Sequence, residues 1–243
     1  MRTRQDGSAR PGGNRVTADI DRLTPAGERV WDLPVRLFHW VLVGLIATSL
    51  ITAEIGGNAM QYHQWSGMSI LTLVLFRLLW GFLGSTRARF SDFVRGPRAA
   101  FAYASGLLRG GAAFYPGHNP LGGWMVLALL ASLLVQAGTG LFANDDVMIE
   151  GPLARHISKE TSDWLTGIHH VNFAVLLVLI ALHVAATLFY LLVKRDNLVL
   201  PLITGRKPLA EGRRFEPPRG GPLWLAALLL ALCAGAVWAI VTA

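Results

Sequence analysis

The chain has 243 residues, 53% of them hydrophobic and only 15% charged, against the roughly 25% of an ordinary soluble domain; with a mean hydropathy of +0.44, this excludes a conventional water-soluble protein. The single cysteine, Cys233, excludes a disulfide framework, a cysteine-ligated zinc or iron–sulfur centre, and any prosthetic group tethered through thioethers. A net charge of +7 would suit nucleic acid, but the basic residues fall between long apolar runs, so no nucleic-acid partner is expected.

Residues 1–30 are rich in Arg, Gly, Asp and Thr without apolar periodicity, and read as a disordered basic leader. No apolar core of a signal peptide precedes Trp31. Asp6, Asp19, Asp21 and Glu28 argue against an organellar transit peptide. Five apolar runs follow, at about 35–53, 65–83, 121–142, 168–193 and 223–241. Each reaches the ~20 residues needed to cross a hydrocarbon core of ~30 Å. Lipid offers a backbone no water to bond, so each run is predicted to be a helix. Pro34 stands ahead of the first run, where a proline costs a helix little. Residues 206–222, with Pro217 and Pro218, read as a linker to the fifth run.

Lysine and arginine set the orientation. Of the 22 basic residues, 19 fall in the leader, in the segment between runs two and three, or after run four. The opposite segments hold only Arg155 and Lys159, diluted by Asp145, Asp146, Glu150, Glu160 and Asp163. The N-terminus is therefore expected in the cytoplasm and the C-terminus on the opposite side.

Ionisable residues within spans are costly and point to function. His39 lies at the inner end of run one, His63 at the outer start of run two, and His169 and His183 both lie in run four. The last two are 14 residues apart, which places them within about 40° of one helix face and ~21 Å apart along the axis. His63 and His39 sit at the matching depths, so the expectation is two imidazole pairs stacked across the bilayer. Zinc and di-iron centres need more ligands, usually with carboxylates, and only Glu54 lies near the outer rim. A haem iron needs two axial ligands, and Gly44, Gly67, Ala181, Ala185 and Ala186 let a flat ring approach the helices. Without a cysteine attachment motif, such haem would be non-covalent b haem. Interhelical hydrogen bonding is the plainer role for any one of these histidines.

The same residues resemble the prokaryotic cytochrome b561 family, which includes the b-type cytochrome subunit of nickel–iron hydrogenases. Residues 30–40 read Val-Trp-Asp-Leu-Pro-Val-Arg-Leu-Phe-His-Trp, matching the family's Arg-x-x-His-Trp opening with Arg36, His39 and Trp40. His63, Gly67, Ser69, Ile70, Leu71, Arg77 and Leu78 match the second-helix pattern. His169 and His183, closing on Arg195, Asp196 and Asn197, match the fourth. The resemblance covers about 30–205. It implies a four-helix bundle holding two b haems, one on His63 and His169 outside and one on His39 and His183 inside. It also implies electron transfer between the quinone pool and a redox partner at one membrane face.

Other residues carry weaker signals. Arg77 either pairs with a haem propionate or snorkels to the interface; Arg36 is read in the same way, or as a basic anchor. His170 is read as a partner of a propionate or of quinone. His118, in a Tyr-Pro-Gly-His-Asn-Pro segment, reads as a turn residue, with quinone or partner binding as the alternative. His156 lies near the outer site. The acidic outer segment reads as solubilising, with docking of a basic cytochrome as its alternative. Trp31, Trp40, Trp65, Trp80, Trp124 and Trp164 are expected to be interfacial anchors, and Cys233 to be inert.

The expected architecture is an all-α integral membrane protein: a leader at 1–30, a four-helix transmembrane bundle holding two haems at 31–205, a linker at 206–222, and an extra C-terminal transmembrane helix at 223–243. The expected function is a dihaem b-type cytochrome of the bacterial inner membrane, N-terminus cytoplasmic and C-terminus periplasmic. It would work among membrane lipid with quinone and a redox partner protein, either a periplasmic cytochrome or a dehydrogenase or hydrogenase subunit. The alternatives are a haem-bearing anchor subunit of a larger hydrogenase or dehydrogenase complex, a histidine-box hydroxylase, for which His169 and His170 alone supply no box, and a proton-coupled transporter. The chain reads as an electron carrier, with quinone oxidoreductase activity as the alternative.

Overall fold

A computed structural model describes residues 27–243 except 112, 114, 147, 148 and 209–215. Most of the leader, with Arg2, Arg4, Arg10, Arg15 and Arg22, lies outside the described residues, as do Arg213 and Arg214 of the linker. A two-residue strand β1 (Glu28–Arg29) closes the leader. The helices are α1 (Leu33–Ile55), α2 (Met60–Leu83), α3 (Phe90–Phe93), α4 (Pro97–Leu108), α5 (Pro120–Gly140), α6 (Lys159–Leu192), α7 (Val199–Thr204) and α8 (Leu223–Thr242). A second short strand, β2 (Arg206–Lys207), follows α7 and pairs antiparallel with β1. Five helices, α1, α2, α5, α6 and α8, are long and apolar enough to cross a membrane, and they coincide with the five apolar runs.

Local chemistry starts each span. Asp32 caps α1 by accepting from the Val35 N–H at 2.8 Å, with Pro34 in the first turn. Asn119 caps α5 through the Gly122 N–H, also at 2.8 Å. Ser158 caps α6. From that cap the helix runs through polar turns well ahead of the apolar run, and its 34 residues make it about 51 Å long. Hydropathy alone marks only its lipid-crossing part.

Helices α1 and α2 pack together, α5 packs on α6, and α2 bridges to α5. Leu42, Ile70, Val74, Leu130, Leu133 and Leu176 form the apolar core between them. The fifth span, α8, lies along α2. It buries Ala226, Leu229, Cys233 and Val237, a three-and-four-residue stripe on one helical face. Cys233 is thus a packing residue beside Phe76 and Trp80. Gly221 leads into this helix at φ +67°, and a Cβ there would lie 2.6 Å from the Ser85 nitrogen. The approach of α8 therefore requires glycine on both conformational and steric grounds.

The anchor reading of the tryptophans needs correction at two positions. Trp40, Trp65, Trp124 and Trp164 are exposed, but Trp31 and Trp80 are buried. Trp80 stacks on Phe76 and donates its indole N–H to Asp32 at 3.1 Å. A buried hydrogen-bond acceptor draws this ring inward, which composition near a span end does not reveal.

Candidate cofactor site

The outer pair comes from the first turns of α2 and from α6. The rings of His63 and His169 lie 6.3 Å apart between centroids. His63 Nδ1 donates to the Ser49 carbonyl at 2.9 Å, and His169 Nδ1 donates to the Gln136 carbonyl at 3.0 Å. An Nδ1–H held by a backbone carbonyl orients the ring and leaves Nε2 as the lone-pair nitrogen. In keeping with this, His169 Nε2 accepts from the Gln136 amide at 3.0 Å. A cavity of about 430 Å³ opens here, lined by both histidines with Gly67, Gly140 and Leu176. A Cβ on Gly67 would meet nothing within 4 Å, so that glycine leaves room on the cavity wall.

The inner pair comes from α1 and the same α6 face. The rings of His39 and His183 lie 6.5 Å apart. His39 Nδ1 is buried and has no hydrogen-bond partner. Gly44, a turn further along α1, also faces open space. Leu176 lies midway between His169 and His183 along α6 and belongs to the apolar core, so hydrocarbon separates the two levels.

Both separations fit one chemistry. Two imidazoles bound end-on to opposite sides of one metal ion, through bonds of ~2 Å, hold their ring centres roughly 6 Å apart. Among the described residues no group of three or more His, Cys, Asp or Glu converges. The donor sets therefore fit a bis-imidazole haem better than a zinc or di-iron centre.

The remaining candidates divide. Arg77 does not snorkel: it is 3% exposed, and its guanidinium lies over Phe90 at 5.2 Å and Phe93 at 5.9 Å. Arg36 instead engages the backbone of α7, donating to the Leu202 and Ile203 carbonyls. His170 is exposed and lines the outer cavity, whereas His156 is exposed in a short turn. His118 is held between the rings of Trp31 and Phe93, at 4.7 and 4.6 Å. Burial first, and then the positive Arg77, push its pKa down to about 3, so it is a neutral imidazole. In the acidic outer segment Lys159 pairs with both Asp146 and Asp163, and Asp145 accepts from the Ile149 N–H at 2.8 Å. These groups are used within the loop itself.

A polar network within the spans went unread in the sequence. Asn172 donates to the Gln136 side-chain oxygen at 2.7 Å and to the Ser132 carbonyl at 3.0 Å, and Ser132 donates back to Asn172. Gln136 carries this network to His169. The cost argument that singles out the histidines applies equally to a glutamine and an asparagine inside apolar runs.

Residues 30–205 match the model of a family described as prokaryotic cytochrome b561. The chain belongs to that family. It is also similar to a protein of Bradyrhizobium diazoefficiens named as a probable Ni/Fe-hydrogenase B-type cytochrome subunit. The two are 22% identical over 221 residues, covering 75% of this chain and 86% of the relative. No solved structure matches. Membership makes the chain a multi-pass membrane protein of a b-type cytochrome family, for which non-covalent haem is the implied cofactor. The bundle α1, α2, α5 and α6 lies within the matched residues, whereas α8 lies beyond them.

Proposed function

We propose that the chain is a dihaem b-type cytochrome carrying electrons across the bacterial inner membrane between the quinone pool and a redox partner protein. The observation that carries this reading is the recurrence of one geometry at two depths: paired imidazoles 6.3 and 6.5 Å apart, both anchored on α6. His63 and His169 would hold the outer haem and His39 and His183 the inner one. Bound haem supplies a one-electron ferric–ferrous couple at each level. The protein's part is to hold the imidazoles. The Ser49 and Gln136 carbonyls fix two rings, and helices packed around the Leu176 layer keep water from the middle of the bundle. Arg77 and His170 are assigned as partners of the haem periphery at the inner and outer levels.

The basic-residue asymmetry supports an N-terminus in the cytoplasm and a C-terminus in the periplasm. A second reading, a haem-bearing membrane anchor of a larger hydrogenase or dehydrogenase, is favoured by the similarity to the Bradyrhizobium protein named as a probable Ni/Fe-hydrogenase B-type cytochrome subunit. Co-purification of partner subunits in mild detergent separates the two.

The deciding experiment is a reduced-minus-oxidised spectrum with haem per chain, on the parent and on His183→Ala. Two b haems in the parent and one in the variant are expected. A parent that stays uncoloured with ample haem supply overturns the reading and revives the transporter.

A further inference from the structure

Three buried polar atoms without a hydrogen-bond partner stand out among the described residues: His39 Nδ1, Arg77 Nη1 and His118 Nδ1. All three lie at one end of the bundle. Arg77 and His118 share a wall, since both sit against the ring of Phe93. His118 also packs on Trp31, just ahead of the helix that carries His39, which places it at the end of the bundle that holds the inner pair.

A buried guanidinium without an anion is costly, and such charges in folded proteins are paired. Asp32 caps the neighbouring helix α1, and its oxygens serve the Val35 N–H, the Trp80 indole and the Ser85 hydroxyl. No carboxylate forms an ion pair with Arg77 among the described residues. The aromatic faces of Phe90 and Phe93 offset part of the cost but leave Nη1 unsatisfied. The neutral His118 adds one N–H donor. One cation and one neutral donor, walled by Trp31 and Phe93, match a single carboxylate.

We propose that Arg77 and His118 form a carboxylate pocket for a propionate of the inner haem, closed by Trp31 and Phe93; this rests on the dihaem reading above. His118 thereby becomes a positioning residue for that haem, carried on the segment that leads into α5. The other source of a matching anion is the phosphate of a lipid headgroup, and the test separates the two.

The full chain is stripped of haem and refilled with iron protoporphyrin IX or with its dimethyl ester, in which both propionates are blocked. The His183→Ala chain identifies the inner-site signal by its absence. In the parent, the ester is expected to leave the inner site roughly tenfold faster than natural haem, as for loss of a hydrogen bond to a charged acceptor. Arg77→Gln and His118→Gln are each expected to speed the loss of natural haem by a similar factor while leaving loss of the ester unchanged, and Arg77→Lys to restore part of the retention. The parent comparison involves no substitution, so it stands even if a variant misfolds. Equal retention of both haems by the parent, or an equal effect of the variants on both, overturns the proposal. Discrimination seen in micelles free of anionic lipid but lost in phosphatidylglycerol vesicles also overturns it, in favour of a lipid phosphate in the membrane. A parent that binds no haem overturns the dihaem reading as well, whereas two haems without ester discrimination overturn this inference alone.

Discussion

Trp80 donates its indole N–H to Asp32 at 3.1 Å, so the cap of α1 and the far end of α2 share one carboxylate. The same side chain accepts from the Val35 N–H at 2.8 Å and from the Ser85 hydroxyl at 2.5 Å. Asp32→Ala removes a helix cap and strands two buried donors. The expected cost is about 2–4 kcal/mol, read as a lower midpoint of thermal unfolding in detergent. Asp32→Asn, which keeps an acceptor oxygen, is expected to lose less.

If each haem is held by one histidine pair, substitutions within a pair do not add. His63→Ala or His169→Ala is expected to remove about half the bound haem, and the double variant no more than either alone. A double variant across pairs, His63→Ala with His39→Ala, is expected to be nearly colourless. Haem per chain is the measurement, and additive losses within a pair contradict the pairing.

Two glycines of α2 separate cofactor space from packing. At Gly67 a Cβ meets nothing within 4 Å, whereas at Gly81 it would lie 2.1 Å from the Phe90 ring. Gly67→Leu is expected to lose about half the haem by filling the outer cavity, with the unfolding midpoint lowered no further than in His63→Ala, which loses the same haem. Gly81→Ala is expected to cost about 1–3 kcal/mol through displacement of the Phe90 ring, with both haems retained in whatever fraction folds. Haem content and thermal unfolding on the same samples distinguish the two.

Orientation is open to labelling. In a Cys233→Ala background, Glu160→Cys at the start of α6 and Ser91→Cys in α3 both place a thiol at an exposed position. In right-side-out membrane vesicles an impermeant maleimide is expected to label Glu160→Cys directly, and Ser91→Cys only after permeabilisation. The opposite pattern would invert the topology.

Amino-acid order alone was enough for the five spans and the two imidazole levels, for a physical reason. Lipid forces each spanning backbone to satisfy its own hydrogen bonds, so a span is readable from a local window, and helical periodicity then carries His169 and His183 to one face. The beginning of α6 and the helix α4 were not legible in this way, because Ser158 capping and packing against α5 set them rather than hydropathy. Tertiary structure alone decided which polar groups face inward. Arg77 is buried over two phenylalanine rings from another segment, and His118 is wedged against Trp31, 87 positions away in the chain. Gln136 and Asn172 join His169 across two helices. Each of these fates depends on partners distant in sequence, and burial of a polar group is settled by what it meets there.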